Sequence, residues 1–336
     1  MKADFNVHEG TFLLYPLRTD VWRKGAKPIA QTIVSLAKIL SRHERVVLGV
    51  DSSVRLDPID GVDIATMDYN DIWIRDSGVV PVGNHFVKFQ FNAWGGQEGL
   101  YSDWSLDATV PEQMGKIVGK TIKEYPLIIE GGNILTNGNG TLICIERTVV
   151  NPNRNPNLSK LEAEAILKEA LNVKKVIFIE RGLNYDETGG HIDNLVAFAN
   201  ENTILLAWTD NANHPQYEVV RSAYKTLQNE VGANGEKFKI VKVPLPSPFI
   251  RTEDDCVGLE MLLGSKERFE GEQIQPSYIN FIFANGAVIV PSFDCDLDDE
   301  VVKIFTAEFN DREIIQFPSR EIVLGGGGLH CITKNY

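Results

Sequence analysis

Apolar residues recur at helical spacing in five segments of the chain. The first segment carries one at every third or fourth position, at Ile29, Ile33, Leu36 and Leu40. In the third, Ser159 and Glu162 have the spacing of a capping box. We therefore expect helices near 28–40, after Pro111, after Ser159, over about 216–230 and near 297–309.

Shorter apolar runs between these segments predict β-hairpins. Asn-Gly between two apolar runs is a strong hairpin signal, as at Asn137-Gly138 and Asn285-Gly286. The expected pairs are 134–135 with 142–143, 278–283 with 287–290, 195–198 with 204–206 and 79–82 with 86–89. A hairpin followed by a helix recurs about five times, which favours an internally pseudo-symmetric α/β fold. No linker or charge block divides the chain, so we expect one domain over residues 1–336.

Composition narrows the class of partner. The 336 residues are 43% hydrophobic and 24% charged, with a net charge of −13. An acidic chain without a basic stripe does not neutralise phosphates, so nucleic acid and anionic membrane surfaces are not expected partners. No stretch approaches the roughly 20 apolar residues of a membrane helix, and the N-terminus lacks a signal-peptide core. A cytoplasmic protein is the resulting expectation.

The four cysteines are widely spaced, at Cys144, Cys256, Cys295 and Cys331. No zinc site or disulfide framework is indicated. Cys144 lies in an apolar run and is expected to be a buried hydrophobic residue. Cys256 and Cys295 lie among acids, which raise a thiol pKa and lower its reactivity.

Four segments place reactive side chains beside glycines and apolar strands, at 70–76, 130–133, 189–193 and 325–331. Each comes from a different hairpin–helix unit, as in active sites built from the ends of several elements. In the last segment, four glycines precede residues 329–333, whose apolar pattern predicts a strand. Consecutive glycines indicate a sharp turn or a close approach, which makes Cys331 a candidate nucleophile.

The remaining candidates are a histidine, three carboxylates and a tryptophan. His191 and Asp193 are two residues apart, so in a strand they would share one face. Residues 73–76, which include Trp73 and Asp76, alternate in the same way. Glu130 ends an apolar run before two glycines, where a carboxylate is costly unless a cation pairs with it. Surface ion pairs, a satisfied core histidine and a core tryptophan remain open interpretations, whereas a metal site would need further ligands.

This set of residues suits nucleophilic attack on a cationic carbon. A guanidinium offers a fork of N–H donors that carboxylates such as Asp76 and Asp193 bind in bidentate fashion. Its carbon is a poor electrophile and needs a thiolate, whose pKa the bound cation would lower. In the predicted cycle Cys331 adds to that carbon, His191 protonates departing ammonia and then activates water, and Glu130 orients the imidazole.

At these residues the sequence resembles the agmatine deiminases of the guanidino-group-modifying superfamily. The resemblance extends over nearly the whole chain, and its shared motifs are HEGTF at 8–12, NAWGG at 92–96, NPNRNP at 151–156, RGL at 181–183, LLAWTD at 205–210 and IVLGGG at 322–327.

The resemblance implies a fivefold pseudo-symmetric α/β propeller with the active site on its central axis. It implies that Cys331 carries an amidino intermediate, that His191 is the acid/base residue and that Asp76 and Asp193 bind the guanidinium. Glu130 matches the carboxylate that pairs with the histidine in related deiminases. Water would be the only co-substrate, no cofactor or metal would be required, and the chain would form a homo-oligomer. The products would be N-carbamoylputrescine and ammonia.

Two positions depart from the family pattern. The family commonly has asparagine where this chain has Gly328, and often a polar or acidic residue where it has Gly189. Both flank catalytic positions, so the substrate pocket is expected to differ there.

The partner of the agmatine amine is open at this point. The candidates are an aromatic face from Trp73 or Trp94, and a carboxylate from Asp71, Asp186 or Glu187. No strong anchor for an α-carboxylate is visible, although Arg18, Arg154 or Arg181 would serve if it lay near the site. The alternatives are a deiminase for arginine or peptidyl-arginine, an amidinotransferase, and a non-catalytic propeller that binds partners.

Overall fold

The computed structural model describes residues 1–336 and groups most strands into five small sheets of one topology. In each sheet a short first strand pairs antiparallel with a second strand, and a third strand pairs parallel with the second. We number these sheets as units one to five. Their strands are Lys334–Asn335, Thr11–Leu14 and Val46–Val50, extended by Val62–Thr66, in unit one; Val80–Val82, His85–Gln90 and Ile122–Ile128 in unit two; Leu135–Thr136, Thr141–Ile145 and Lys175–Ile179 in unit three; Val196–Asn200, Thr203–Trp208 and Lys239–Pro244 in unit four; and Ile282–Ala284, Ala287–Ser292 and Glu313–Pro318 in unit five.

The five predicted helices are confirmed, and each connects the second and third strands of a unit. A parallel pair needs such a crossover because a tight turn cannot return the chain to the same end of the sheet. The capping box of Ser159 and Glu162 is present. The helices are Lys27–Leu40, Val110–Val118, Lys160–Leu171, Tyr217–Asn229 and Leu297–Glu308.

Unit one contains both ends of the chain. Its first strand is the C-terminal Lys334–Asn335, which pairs antiparallel with Thr11–Leu14 near the N-terminus. The second strands of units one, three, four and five are buried along most of their length, as in Thr203–Trp208, where all six residues are buried. Buried strands of this kind read as continuous apolar runs because both faces are covered. The C-terminal pairing fixes the segment that carries Cys331, three residues before Lys334.

Three predicted strands are wrong, and each lies next to the first strand of a unit. Trp73 precedes the short helix Ile74–Ser77, which contains Asp76, and Ile192–Asn194 is a 3-10 turn. Residues 329–332 form turns. A fourth prediction is right only in part, because the strand predicted over 278–283 begins at Ile282. The apolar residues of these segments point into the core from a turn, which alternation in the sequence does not distinguish from a strand.

The remaining elements are short. They are the helices Glu146–Val149, Glu253–Cys256 and Arg320–Leu324, the 3-10 turns Lys24–Ala26, Gly96–Glu98, Asp107–Thr109 and Gly131–Asn133, and the two-stranded ribbon of Phe249–Ile250 and Gln273–Ile274. None of the helices has the length and apolar character required to span a bilayer.

Candidate active site

Three predicted site residues converge on one glycine. A methyl group at Gly132 would lie 2.6 Å from His191 Nδ1, 2.8 Å from Asp76 Oδ1 and 3.0 Å from Asp193 Oδ2. Asp76 comes from the segment that enters unit two, and His191 and Asp193 come from the segment that enters unit four, while Gly132 precedes the first strand of unit three; all three side chains are buried. The sequence prediction that these residues share a site therefore agrees with their placement, although helical turns and not strand faces present them.

His191 lies between two carboxylates. Its Nε2 is 3.2 Å from Glu130 Oε2, and its Nδ1 is 3.6 Å from Asp76 Oδ2. Burial alone would lower the pKa of His191, but the charges of Asp76 and Glu130 and the hydrogen bond to Glu130 raise it to about 9. The imidazole is therefore a cation at neutral pH.

Glu130 is held by a second cation that the sequence did not single out for this role. Arg154 Nε donates to Glu130 Oε1 at 2.6 Å, and its Nη2 donates to the carbonyl of Thr188 at 2.6 Å. Burial would raise the pKa of Glu130, but Arg154 and His191 lower it to about 2. The carboxylate stays ionised and fixes the imidazole.

Asp76 is positioned by two donors. The indole Nε1 of Trp94 donates to Oδ2 at 2.9 Å, and the backbone N–H of Gly132 donates to Oδ1 at 2.7 Å. Burial and the nearby acids Asp193 and Glu130 raise the pKa of Asp76. An acid in these surroundings gains from a bound cation.

The sulfur of Cys331 lies beside Asp193, the second carboxylate predicted to bind the guanidinium. Its thiol is 3.6 Å from Asp193 Oδ2, and the side chain is 5% exposed. Burial and the charges of Asp193 and Asp76 raise the pKa of Cys331 well above the ordinary thiol range. Without a cation next to it, this cysteine is a thiol.

Asp193 in turn is fixed by a chain of residues that the sequence analysis missed. His330 Nδ1 lies 2.8 Å from Asp193 Oδ2, and its Nε2 lies 2.9 Å from Asp4 Oδ2. Asp4 also lies 3.6 Å from the Arg75 guanidinium. The neighbour of Cys331 in the sequence therefore aligns a carboxylate at the sulfur, and the N-terminal segment supports it.

A second missed residue, Asn280, contacts the sulfur. Its Nδ2 is 3.3 Å from Cys331 Sγ. Gly328 makes room for it, since a methyl group at that position would lie 2.3 Å from Asn280 Oδ1. Asn280 precedes the first strand of unit five by two residues, as Asn194 precedes that of unit four, but this register is visible only once the strand boundaries are known.

A narrow cavity opens beside the thiol. Its aromatic walls are Trp73, Trp94 and Tyr101, and it also contacts Asp76, Glu187 and Cys331. Trp73 packs on the backbone of Gly327, where a methyl group would lie 2.4 Å from its ring. Trp73 and Trp94, both predicted to bind substrate, therefore line the space next to Cys331.

The acidic candidates for the amine are already paired. Asp71 accepts hydrogen bonds from Trp22 and Tyr101 at 2.8 and 2.9 Å. Asp186 accepts the backbone N–H of His191 at 3.0 Å. Of these three acids only Glu187 lines the cavity, and its carboxylate is bound by Arg268 at 2.7 Å and by Lys266 at 2.8 Å.

Gly189, the second glycine that departs from the family pattern, has a smaller structural effect. Gly189 has φ +88 and is exposed, and a methyl group there would lie 3.8 Å from Arg154 Nη1. A side chain at 189 would therefore reach the arginine that holds Glu130, and not the cavity.

The chain is similar to known deiminases over nearly its whole length. The profile of the Porphyromonas-type peptidyl-arginine deiminase family matches residues 1–336. The agmatine deiminase of Pseudomonas fluorescens is 37% identical over 349 residues, which cover 99% of this chain and 94% of the relative. The agmatine deiminase of Pseudomonas syringae pv. tomato matches with the same identity and the same coverage.

Solved structures of agmatine deiminases are also similar to this chain over nearly its full length. The agmatine deiminase of Enterococcus faecalis superposes with a TM-score of 0.95 at 29% identity, covering 100% of this chain and 94% of that one. A cysteine-to-serine variant of the C. jejuni agmatine deiminase, solved with substrate bound, gives a TM-score of 0.84 at 26% identity, covering 99% of this chain and 94% of the other.

Proposed function

The chain belongs to the Porphyromonas-type peptidyl-arginine deiminase family, in its agmatine deiminase branch of C–N hydrolases, and from this premise we propose that it hydrolyses agmatine to N-carbamoylputrescine and ammonia. Cys331 is the nucleophile, His191 the general acid and base, and Asp76 and Asp193 hold the guanidinium. Glu130 orients His191.

One observation carries the proposal. Asp193 Oδ1 and His191 Nδ1 are buried and have no hydrogen-bond partner within the protein, and their side chains both belong to the group around Gly132. Buried polar atoms are almost always paired, so unpaired ones indicate a ligand position. A guanidinium supplies N–H donors for Asp193 and Asp76, and its nitrogen is then placed to receive a proton from His191.

The first half-reaction begins from a thiol and an imidazolium. Binding brings a positive charge next to Cys331, which lowers the thiol pKa, and the thiol proton leaves to solvent. The sulfur then forms a bond to the guanidinium carbon. His191 donates its Nδ1 proton to one nitrogen, the C–N bond breaks and ammonia departs, which leaves a thiouronium on Cys331.

The second half-reaction uses the neutral imidazole that remains. His191 takes a proton from water as the water oxygen bonds to the thiouronium carbon. The C–S bond then breaks, its electron pair goes to sulfur, and the hydroxyl proton restores the thiol. The ureido product leaves with Cys331 and His191 in their starting protonation states.

The lining of the cavity favours agmatine over arginine. It contains aromatic faces and Glu187 but no lysine or arginine. Two of the arginines considered as carboxylate anchors are engaged elsewhere, Arg154 by Glu130 and Arg18 by Asp20 at 2.9 Å. An α-carboxylate in this cavity would meet Asp76 and Glu187 but no unpaired cation, since Arg268 and Lys266 are already bound by Glu187, which is unfavourable. An amine tail meets Trp73 and Trp94 faces instead.

The proposal extends to architecture and assembly. Each unit contributes a site residue from the segment that enters its first strand: Asp76, Glu130, His191, Asn280 and Cys331. We infer a ring of five units around a central site, formed by one domain over residues 1–336. We also expect a homo-oligomer, which light scattering on the purified protein tests.

The direct test is a panel of guanidines assayed for ammonia and ureido product. Purified protein should release ammonia from agmatine with no amine acceptor present, and far less from arginine or a peptidyl-arginine substrate. Release that requires an added amine would indicate an amidinotransferase. No release from agmatine would contradict the proposal.

A further inference from the structure

Asn280 contacts the reacting sulfur but has no role in the cycle above. Its side chain is 1% exposed, and its Nδ2 lies 3.3 Å from Cys331 Sγ. It enters the site from unit five, and its Nδ2 lies 3.4 Å from the backbone carbonyl of Asp193 in the segment that enters unit four. The effect of Asn280 on the sulfur depends on which end of its amide faces Cys331 Sγ.

The orientation of the amide follows from its other partners. The backbone N–H of His330, which is only a donor, lies 2.8 Å from Oδ1. The backbone carbonyl of Asp193, which is only an acceptor, lies 3.4 Å from Nδ2. A flipped amide would lose both hydrogen bonds and oppose like groups, which fixes its orientation. The NH2 group is then the end nearer to Cys331, with Nδ2 3.3 Å and Oδ1 3.6 Å from Sγ.

We propose that Asn280 is a further catalytic residue, which donates an amide N–H to the Cys331 thiolate and sets the position of the sulfur. The inference rests on the proposed role of Cys331 as the nucleophile. The acids beside the sulfur disfavour a thiolate, since Asp193 is 3.6 Å away. A fixed neutral donor stabilises the anion in the attack step and again when sulfur leaves, at no cost of reorganisation.

Gly328 is the structural condition for this contact. A methyl group at 328 would lie 2.3 Å from Asn280 Oδ1 and 2.6 Å from its Cγ. The amide of Asn280 therefore occupies the space that a side chain at position 328 would need. Gly328→Ala should displace the Asn280 amide and cause part of the fall in kcat that is expected when this amide is removed.

The alternative is that Asn280 only fills space and holds the backbone of His330. Substitution by alanine does not separate the two, because Asn280 also lines a second cavity of about 500 Å³ that would then open toward the sulfur. Asn280→Leu keeps the volume and removes the donor. Asn280→Asp keeps the oxygen that binds the His330 N–H and places a second oxygen at the sulfur.

The experiment measures the thiolate without substrate. Wild type, Asn280→Leu and Asn280→Asp are alkylated with iodoacetamide across a pH series, and mass spectrometry follows the peptide that contains Cys331. Loss of a donor to an anion should raise the alkylation midpoint by about one to two pH units in Asn280→Leu, and more in Asn280→Asp. For agmatine turnover, kcat should fall by roughly 10²- to 10³-fold with a smaller change in KM.

The control is Asn137→Asp. Asn137 is also fully buried, but its Nδ2 donates to the Glu201 carbonyl at 3.1 Å, in the hairpin of unit three. This variant should keep the wild-type midpoint. Circular dichroism identifies any variant that fails to fold, and the other Asn280 variant then decides.

An unchanged midpoint in a folded Asn280→Leu or Asn280→Asp would overturn the inference and leave Asn280 as a packing residue. The outcome is separable from that of the proposed function. Absence of ammonia release by wild type with agmatine would contradict the function alone, because the alkylation midpoint does not depend on the substrate.

Discussion

Glu130 and His191 share a buried hydrogen bond of 3.2 Å, and the second oxygen of Glu130 is bound by Arg154 at 2.6 Å. Glu130 and Asp76, the two acids that flank the imidazole, both favour its protonated form. This places a proton donor in the site at the pH where Cys331 is still a thiol. The order of events in the proposed cycle depends on this relationship.

Removing the charge of Glu130 should therefore lower the pKa of His191. Glu130→Gln should reduce kcat by roughly 10²- to 10⁴-fold, the usual contribution of a positioned acid or base. The pH profile of kcat checks this, since its high-pH limb should move to lower pH. Glu180→Gln is the control, because Glu180 pairs with Arg147 at 2.7 Å in solvent, and it should leave the profile unchanged. A high-pH limb that stays in place would contradict the role of Glu130.

The high-pH limb of wild-type activity should lie near the pKa of His191, about 9. Above it the imidazole is neutral and no longer protonates the departing ammonia. A profile of kcat/KM against pH, which reports the groups of the substrate-free enzyme, measures this limb directly. Activity that keeps rising past this region would exclude His191 as the acid.

The same groups predict how stability depends on pH. The raised pKa of His191 stabilises the fold fully below its ordinary value of 6.5, and this contribution is lost as pH rises through about 9. The lowered pKa of Glu130 stabilises the fold above its ordinary value of 4.5, and this contribution is lost as pH falls toward about 2. Urea unfolding across pH tests both signs, and in His191→Asn the decline near pH 9 should be smaller.

Gly132 should tolerate no side chain. Gly132→Ala would place a methyl group within 2.6 Å of His191 Nδ1 and 2.8 Å of Asp76 Oδ1, so turnover should fall by about 10²-fold or more. Gly286→Ala is the control, since Gly286 has φ +80 and nothing within 4 Å. That variant carries backbone strain but should keep the wild-type kcat. Normal turnover by Gly132→Ala would mean that the reaction does not occur at this group.

The indole N–H of Trp94 should matter through Asp76. Trp94→Phe keeps the aromatic wall and removes the 2.9 Å hydrogen bond to Oδ2, so kcat/KM for agmatine should fall about tenfold. Trp208→Phe removes a similar 3.1 Å bond to the exposed Asp210 and should change nothing. Equal effects of the two substitutions would indicate general destabilisation.

The sequence was sufficient for the helices, most hairpins and the cluster of acids around His191. The apolar spacing at Ile29 and Leu40 reports directly which helix face is buried, and Asn285-Gly286 reports a turn. The sequence did not reveal the turns that present Asp76, Asp193 and Cys331, because a buried residue in a turn and one in a strand give the same apolar pattern.

The partners from distant parts of the chain were also out of reach. Arg154 with Glu130, and Asp4 with His330, are pairs that only the folded chain brings together. Asn280 was hidden inside an apolar run, and its orientation depends on the backbone of His330.

The covalent intermediate on Cys331 is the central claim, and rapid acid quenching of the enzyme with agmatine tests it most directly. Mass spectrometry should show the peptide of Cys331 heavier by agmatine less ammonia, and Cys331→Ala should fold, bind agmatine and release no ammonia. Ammonia release by Cys331→Ala at the wild-type rate, with no modified peptide in the wild type, would contradict the account.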